Sequence, residues 1–258
     1  MRACGPWVQA LLRRMLPLSA GETLPQGLRF GGIDASSMQA PGAKGTDHRL
    51  PLALAFVAWQ CLEVWVSDVH TGEPRNHCTV APGDGVLADR GSAQCQGLHG
   101  AIKQGAALIV RLHPCRVGLR DAVGAPWALS AVWKRPKPET LRTLGVALHA
   151  AGGQHEGRGW GHASRLHVEP ANRARHTCRQ GHKKGPPSAE RLFWAGWVLL
   201  FTTLAPAVLS AQTIMALYRC RGHGERAIKR WKRVLDIDAL RAKANSPLAE
   251  VWLHGQWL

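Results

Sequence analysis

Acidic residues are scarce in this sequence: 17 Asp and Glu stand against 33 Lys and Arg, a formal charge of +16 over 258 residues. So one-sided a field, with a pI of about 10.5, sets the chain apart from an ordinary near-neutral enzyme. It favours a polyanionic partner, of which nucleic acid is the commonest. A solvated Lys/Arg-rich face and an anionic lipid surface are the blander readings of the same charge. Paired cysteines are missing too. The seven, Cys4, Cys61, Cys78, Cys95, Cys115, Cys178 and Cys220, are odd in number, scattered and without a C-x-x-C pair. They exclude a disulfide framework and read as free thiols in a reducing cytosol. His176-x-Cys178-x-x-x-His182 is half a zinc site without the second ligand pair that a structural zinc needs. An uncharged signal core is also lacking, because Arg13 and Arg14 interrupt the first apolar stretch. There is no internal repeat.

Charge of either sign is absent from Leu192 to Tyr218, a stretch long enough to span a bilayer. Thr202, Thr203 and Pro206 divide it into a β-rich apolar run, Val198 to Thr203, and a helix that starts at Ser210. A buried strand followed by a helix is therefore preferred to a membrane span.

The length suits one substantial α/β core. Residues 7 to 16 read as a short amphipathic helix and Gly21 to Gly27 as a breaker region. Leu28 to Asp34, His48 to Val57 and Leu62 to Val69 are β-rich runs bounded by Gly, Pro or Asp, the last two spaced as in an antiparallel meander. Val86-Leu-Ala-Asp89 is a short strand. Ser92 then caps a helix to about Gly105, and Ala107 to Leu112 returns as a strand, a βαβ unit. From Pro114 to about Glu190 the periodicity is lost in a Gly-, Pro-, His- and Arg-rich stretch, read as a basic or poorly ordered insertion that is either a DNA-contacting subdomain or a solvated variable loop. Ala211 to about Leu235 is the longest helical segment, and it is basic.

In a chain this poor in acid, the placement of the few carboxylates matters. Cutting and rejoining a phosphodiester needs an activated water or 3′ hydroxyl and a stabilised leaving oxygen, work that two Mg²⁺ ions held by carboxylate oxygens can do. Asp34 and Asp89 each close an apolar strand, although a strand-end Asp is more often a turn residue. On the long helix, Tyr218, Arg221, Glu225 and Lys232 are offset by three, four and seven residues and so share one stripe. A carboxylate flanked by cations and a phenol suits a metal ligand among phosphate contacts. The plainer reading is an i,i+4 Arg221–Glu225 surface pair.

These residues carry a resemblance. Tyr218-x₂-Arg221-x₃-Glu225-x₆-Lys232 resembles the Y-R-E-K signature of the DDE-type bacterial insertion-sequence transposases. Val86-Leu-Ala-Asp89-Arg-Gly91 resembles that family's second-aspartate motif, and Arg29-Phe-Gly-Gly-Ile-Asp34 its first. The likeness runs from about Leu28 to Lys243 and includes Asp68-Val-His-Thr-Gly-Glu73, Ile109-Val-Arg-Leu112 and Lys229-Arg-Trp-Lys232. It implies an α/β, RNase H-like mixed sheet flanked by helices, with a basic insertion at about 114–190 before the last catalytic helix. The first Asp is expected on the first strand and the second on the fourth. It implies Asp34, Asp89 and Glu225 as catalytic residues holding Mg²⁺ or Mn²⁺, and Tyr218, Arg221, Lys229 and Lys232 as contacts to double-stranded DNA, both transposon ends and target. A homodimer in the DNA complex, a cytoplasmic, nucleoid-associated location and no small-molecule substrate complete what it implies.

The chain departs from the family pattern in one place above all. Arg221-Gly-His-Gly-Glu225 replaces the usual Arg-Trp-x-Ile-Glu, and two mid-helix glycines cost about 1 kcal/mol each, so fraying is expected there. Position 92 is Ser where an aromatic is usual. Residues 1–27 read as a remnant of a helical N-terminal region, 28–243 as the catalytic domain and 244–258 as a shortened tail, together a truncated or degenerate copy. A DNA-binding remnant without activity and a basic membrane-associated protein are the rival readings.

Overall fold

The computed structural model describes residues 27–39, 48–55, 61–64, 67–68, 81–90, 95–113, 118–121, 125, 141–149, 156–181, 185–235, 248, 251–252 and 255. The helix expected at 7–16 and the cap expected from Ser92 lie outside them. The chain divides into two compact units, Met1–Leu87 with Arg219–Leu258, and Ala88–Tyr218.

The first unit is a mixed sheet. Strand β1 (Arg29–Met38) pairs antiparallel with β2 (His48–Ala55) and parallel with β5 (Asp84–Ala88). The far side of β2 carries β3 (Cys61–Val64) and the two-residue β4 (Ser67–Asp68). The run expected over 62–69 is thus two short strands, and the strand leading to Asp89 is the fifth among the described strands, not the fourth. Close packing between β1 and β5 depends on a missing side chain. The Phe30 ring lies where residue 85 would carry its Cβ, 2.5 Å from that position, so Gly85 leaves room for it. Arg29 and Asp84 close the start of the pair with an ion pair at 2.8 Å.

The second unit is antiparallel among its described strands, in the order β6 (Ala107–Arg111), β10 (Trp197–Thr202), β9 (Glu156–Arg165), β8 (Leu141–His149), β7 (Gly118–Arg120). β6 and β10 are short apolar runs, and such runs make strands covered on both faces. Leu108, Ile109, Val110, Leu199, Leu200 and Phe201 are buried accordingly. Each fully buried large side chain contributes about 1.5–3 kcal/mol, so this pair anchors the unit. Helix α1 (Cys95–Lys103) packs on β6 and β9. At Gly159 on β9, a Cβ would collide with the Thr202 carbonyl and the Phe201 ring. The stretch whose periodicity could not be read, 114–190, contains β7, β8, β9 and helix α2 (Val168–Gln180), and it ends at the start of helix α3 (Ala189–Ala195).

The uncharged stretch from Leu192 resolves into the end of α3, β10, a turn and the first turns of helix α4 (Ala211–Leu235). No helix among the described residues is long and apolar enough to cross a membrane. Ser210 starts α4 as expected: its Oγ accepts from the Thr213 N–H at 3.1 Å. The helix then runs unbroken through Gly222 and Gly224 to Leu235, which corrects the expected fraying. Two glycines subtract about 2 kcal/mol, too little to interrupt a helix of this length, whose propagation adds a hydrogen bond per residue.

Candidate functional site

Asp34 lies within β1, opposite Leu52 of β2, and the strand continues four residues past it to Met38. It is a mid-strand residue and not the strand-end residue expected from sequence. The extension Ala35-Ser-Ser-Met38 has little apolar pattern and is held by backbone pairing to Pro51, Leu50, Arg49 and His48. Asp89 stands where expected, as the residue directly after β5. The nearby acid Asp84 serves a different purpose: its Oδ2 accepts from the Ala81 N–H at 2.8 Å while it pairs with Arg29, clamping the turn that starts β5.

On α4, Tyr218, Arg221, Glu225, Lys229 and Lys232 fall within an arc of roughly 80° at helical spacing. Arg221 and Glu225 are joined by an ion pair and hydrogen bond. Arg221 is largely covered, at 17% exposure, whereas Glu225 keeps 44%. A carboxylate steadied by a guanidinium on one side and open on the other can still accept a ligand. The boundary between the units falls between Tyr218 and Arg219, so Asp34 and Glu225 belong to the first unit and Asp89 and Tyr218 to the second.

Asp89 and Tyr218 share a neighbour that the sequence reading did not single out. Burial, and next the charge of Arg111, push the Arg90 guanidinium down to about 10. Tyr218, Cys178 and Asp89 act in the opposite sense, favouring its charged form. The Nε atoms of Arg90 and Arg111 are buried with no hydrogen-bond acceptor among the described residues. Together with His113, Arg191 and Trp197 they line a cavity of about 210 Å³, which no Asp or Glu among the described residues lines. Desolvated cations without a lining carboxylate make a basin for an anion. The signal for it was present in the sequence: Arg111 ends a buried apolar strand, and Arg90 follows the strand-end Asp. Buried His162, by contrast, belongs to the sheet. Its Nδ1 lies 2.9 Å from Thr143 Oγ1, and burial lowers its pKa.

Three carboxylates offer hard oxygen donors, a set that suits Mg²⁺ or Mn²⁺. Among the described residues no group of three or more His, Cys, Asp or Glu stands ready to hold an ion. The Asp34 side chain is not among those described. Of the half zinc site, His176 and Cys178 lie on α2 and His182 falls outside the described residues.

Comparison with known proteins bears on the whole arrangement. Residues 66–253 match the family model for the transposase DDE domain. Over 265 aligned positions the chain is 26% identical to the putative transposase InsL of insertion sequence element IS186A from Escherichia coli K12, covering all of this chain and 71% of the relative. The transposase of insertion sequence element IS421 from Escherichia coli is similar to the same degree, 26%, over the same shares. Among solved structures, the piggyBac transposase synaptic complex with hairpin DNA aligns at a TM-score of 0.45 and 8% identity, covering 88% of this chain and 44% of that one.

Proposed function

The chain belongs to the transposase DDE domain family, and from that premise we propose that it cuts DNA strands and joins the freed ends to target DNA, with Asp34, Asp89 and Glu225 as its catalytic carboxylates. The observation that carries this reading is the α4 stripe. A half-exposed Glu225 paired with Arg221 sits among Tyr218, Lys229 and Lys232 on one helix face, and this face and Asp89 both fall inside the matched span. Asp34 precedes that span and is assigned from its motif and its place on β1. The same reading assigns an RNase H-like plan, with the first Asp on β1, antiparallel to β2 and parallel to the β5 that leads to the second.

In the first reaction water attacks the phosphorus at an element end, the 3′ oxygen leaves and takes up a proton, and a 5′ phosphate remains. In the second, that 3′ hydroxyl attacks a target phosphodiester and displaces its 3′ oxygen. Asp34, Asp89 and Glu225 would hold Mg²⁺ or Mn²⁺, which supplies charge stabilisation to the attacking and leaving oxygens. Arg221 orients the Glu225 carboxylate through their ion pair. Tyr218, Lys229 and Lys232 hold the DNA backbone beside it, and Arg90 and Arg111 add the field that draws a phosphate toward Asp89. Double-stranded DNA is the partner, a homodimer the form in which two ends are paired, and the cytoplasm, at the nucleoid, the place of action.

Incubation of the full chain with supercoiled plasmid and Mn²⁺ tests this directly. Nicking that depends on the ion, is lost in Asp89→Asn and Glu225→Gln, and leaves DNA retention in a gel intact is the expected result. Nicking that persists in Glu225→Gln would overturn the assignment, and DNA retention without any nicking by the unaltered chain would support a binding remnant instead.

A further inference from the structure

Helix α2 is anchored along one side and open along the other. Ala171 is buried, and Ala174 and Cys178 face the cavity. Arg175 ties the helix to α3 through Nε–H donating to the Leu192 carbonyl at 3.3 Å. Its Nη2 also occupies the space in which a Cβ on Gly196 would sit. The opposite arc is exposed and carries Asn172, Arg173, His176, Arg179 and Gln180. Its one acid, Glu169, is in the first turn and is paired with Arg173 at 3.6 Å. None of these residues belongs to the catalytic stripe, and the sequence alone leaves their region open between a DNA-contacting subdomain and a solvated loop, with no helix or contact residue named in it.

We propose that this exposed arc of α2 is a second DNA-docking surface, which lies along a groove of duplex DNA with Arg173 and Arg179 on backbone phosphates. The proposal rests on the reading of the chain as a DNA-acting protein and adds a surface to it. The chemistry of the arc selects the occupant. Its only large apolar residue is Val168, 67% exposed. It therefore lacks the apolar centre that a protein interface needs and the apolar face that an interfacial membrane helix needs. Guanidinium, imidazole and amide groups are instead the donors that phosphates and base edges accept. Thirteen residues make a helix of about 20 Å, and the B-DNA major groove, about 12 Å wide, admits a helix. The A-form RNA major groove is too deep and narrow to do so.

The test uses the full chain, the Arg173→Gln/Arg179→Gln double variant, and three ligands: a short DNA duplex, an RNA duplex of the same sequence, and poly-glutamate. Both substituted positions are exposed and on an element anchored from its other side, so the fold is expected to survive, as circular dichroism will show. Fluorescence anisotropy of labelled duplex DNA across a salt series should show the double variant losing affinity. Its plot of log affinity against log salt should flatten by about 1.8, the value for two phosphate contacts. Independently of any variant, backbone hydrogen exchange across 168–180 should slow when the DNA duplex binds and not with poly-glutamate or duplex RNA. If DNA binds but neither slope nor exchange responds, α2 is not a docking surface while the DNA-acting reading stands. Equal protection by poly-glutamate or RNA would overturn groove docking. If the unaltered chain binds no DNA at all, the functional reading fails first and this proposal falls with it.

Discussion

Two helices of this chain, α2 and α4, each carry an Arg–Glu pair four residues apart, and the two pairs differ in every respect that matters. On α2, Glu169 precedes Arg173, in the order the helix dipole favours, with the acid in the first turn. Both side chains are exposed, at 86% and 69%, and their closest approach is 3.6 Å. On α4 the order is reversed: Arg221 precedes Glu225, the less favourable arrangement for helix stability, and Arg221 is mostly covered. A pair placed against the dipole and partly desolvated is poorly explained by stabilisation, since exposed pairs are worth little and buried ones cost desolvation. The difference supports the proposal that Glu225 is kept for its carboxylate, while Glu169 is the plain surface pair that helix stability explains.

The sharpest way to break that comparison is to neutralise both acids in turn. Glu225→Gln should lower ion-dependent nicking by on the order of 10³-fold or more, as removal of a member of a catalytic unit does. Glu169→Gln should leave nicking unchanged and shift unfolding by no more than about 0.5 kcal/mol. Equal effects in a plasmid-nicking assay would erase the distinction. Arg175→Ala should cost about 1–2 kcal/mol in urea unfolding through its lost bond to the Leu192 carbonyl. Arg173→Ala on the other side of the same helix should cost almost nothing. The smallest effect is a gain: Gly222→Ala should add about 1 kcal/mol to stability, because no atom of a described residue lies within 4 Å of the Cβ it would add. Melting temperatures of the two α4 forms check it, and an unchanged value would mean that the helix backbone there is already constrained by its surroundings.

What could be read in the sequence was whatever local pattern controls. The apolar runs of β6 and β10, Asp89 at the end of β5, the Ser210 start of α4 and the stripe on it all follow from side-chain periodicity and capping, and all appear in the structure. Strand β9, Glu-Gly-Arg-Gly-Trp-Gly-His-Ala-Ser-Arg, could not be read that way. It is held by close backbone approach at its glycines and by pairing on both sides, which leave no alternation of apolar side chains to detect. Helix α2 escaped for a related reason, because small residues and one arginine do the anchoring. Asp34 was misplaced by position within its strand because pairing with β2 carries β1 four residues further than its composition does. The Arg90–Arg111 basin is legible only in part: the sequence places each arginine at a strand end, but not that a loop and a strand about twenty residues apart line one cavity.

The central claim is that Asp34, Asp89 and Glu225 share divalent ions. Anomalous diffraction at the manganese edge, from crystals of the full chain grown with Mn²⁺, measures this with no reference to activity. The account predicts manganese at about 2.1 Å, a hard-cation distance, from carboxylate oxygens of all three residues. Manganese bound elsewhere, or bound to the two aspartates while Glu225 stays closed on Arg221 and carries no ion, would contradict it.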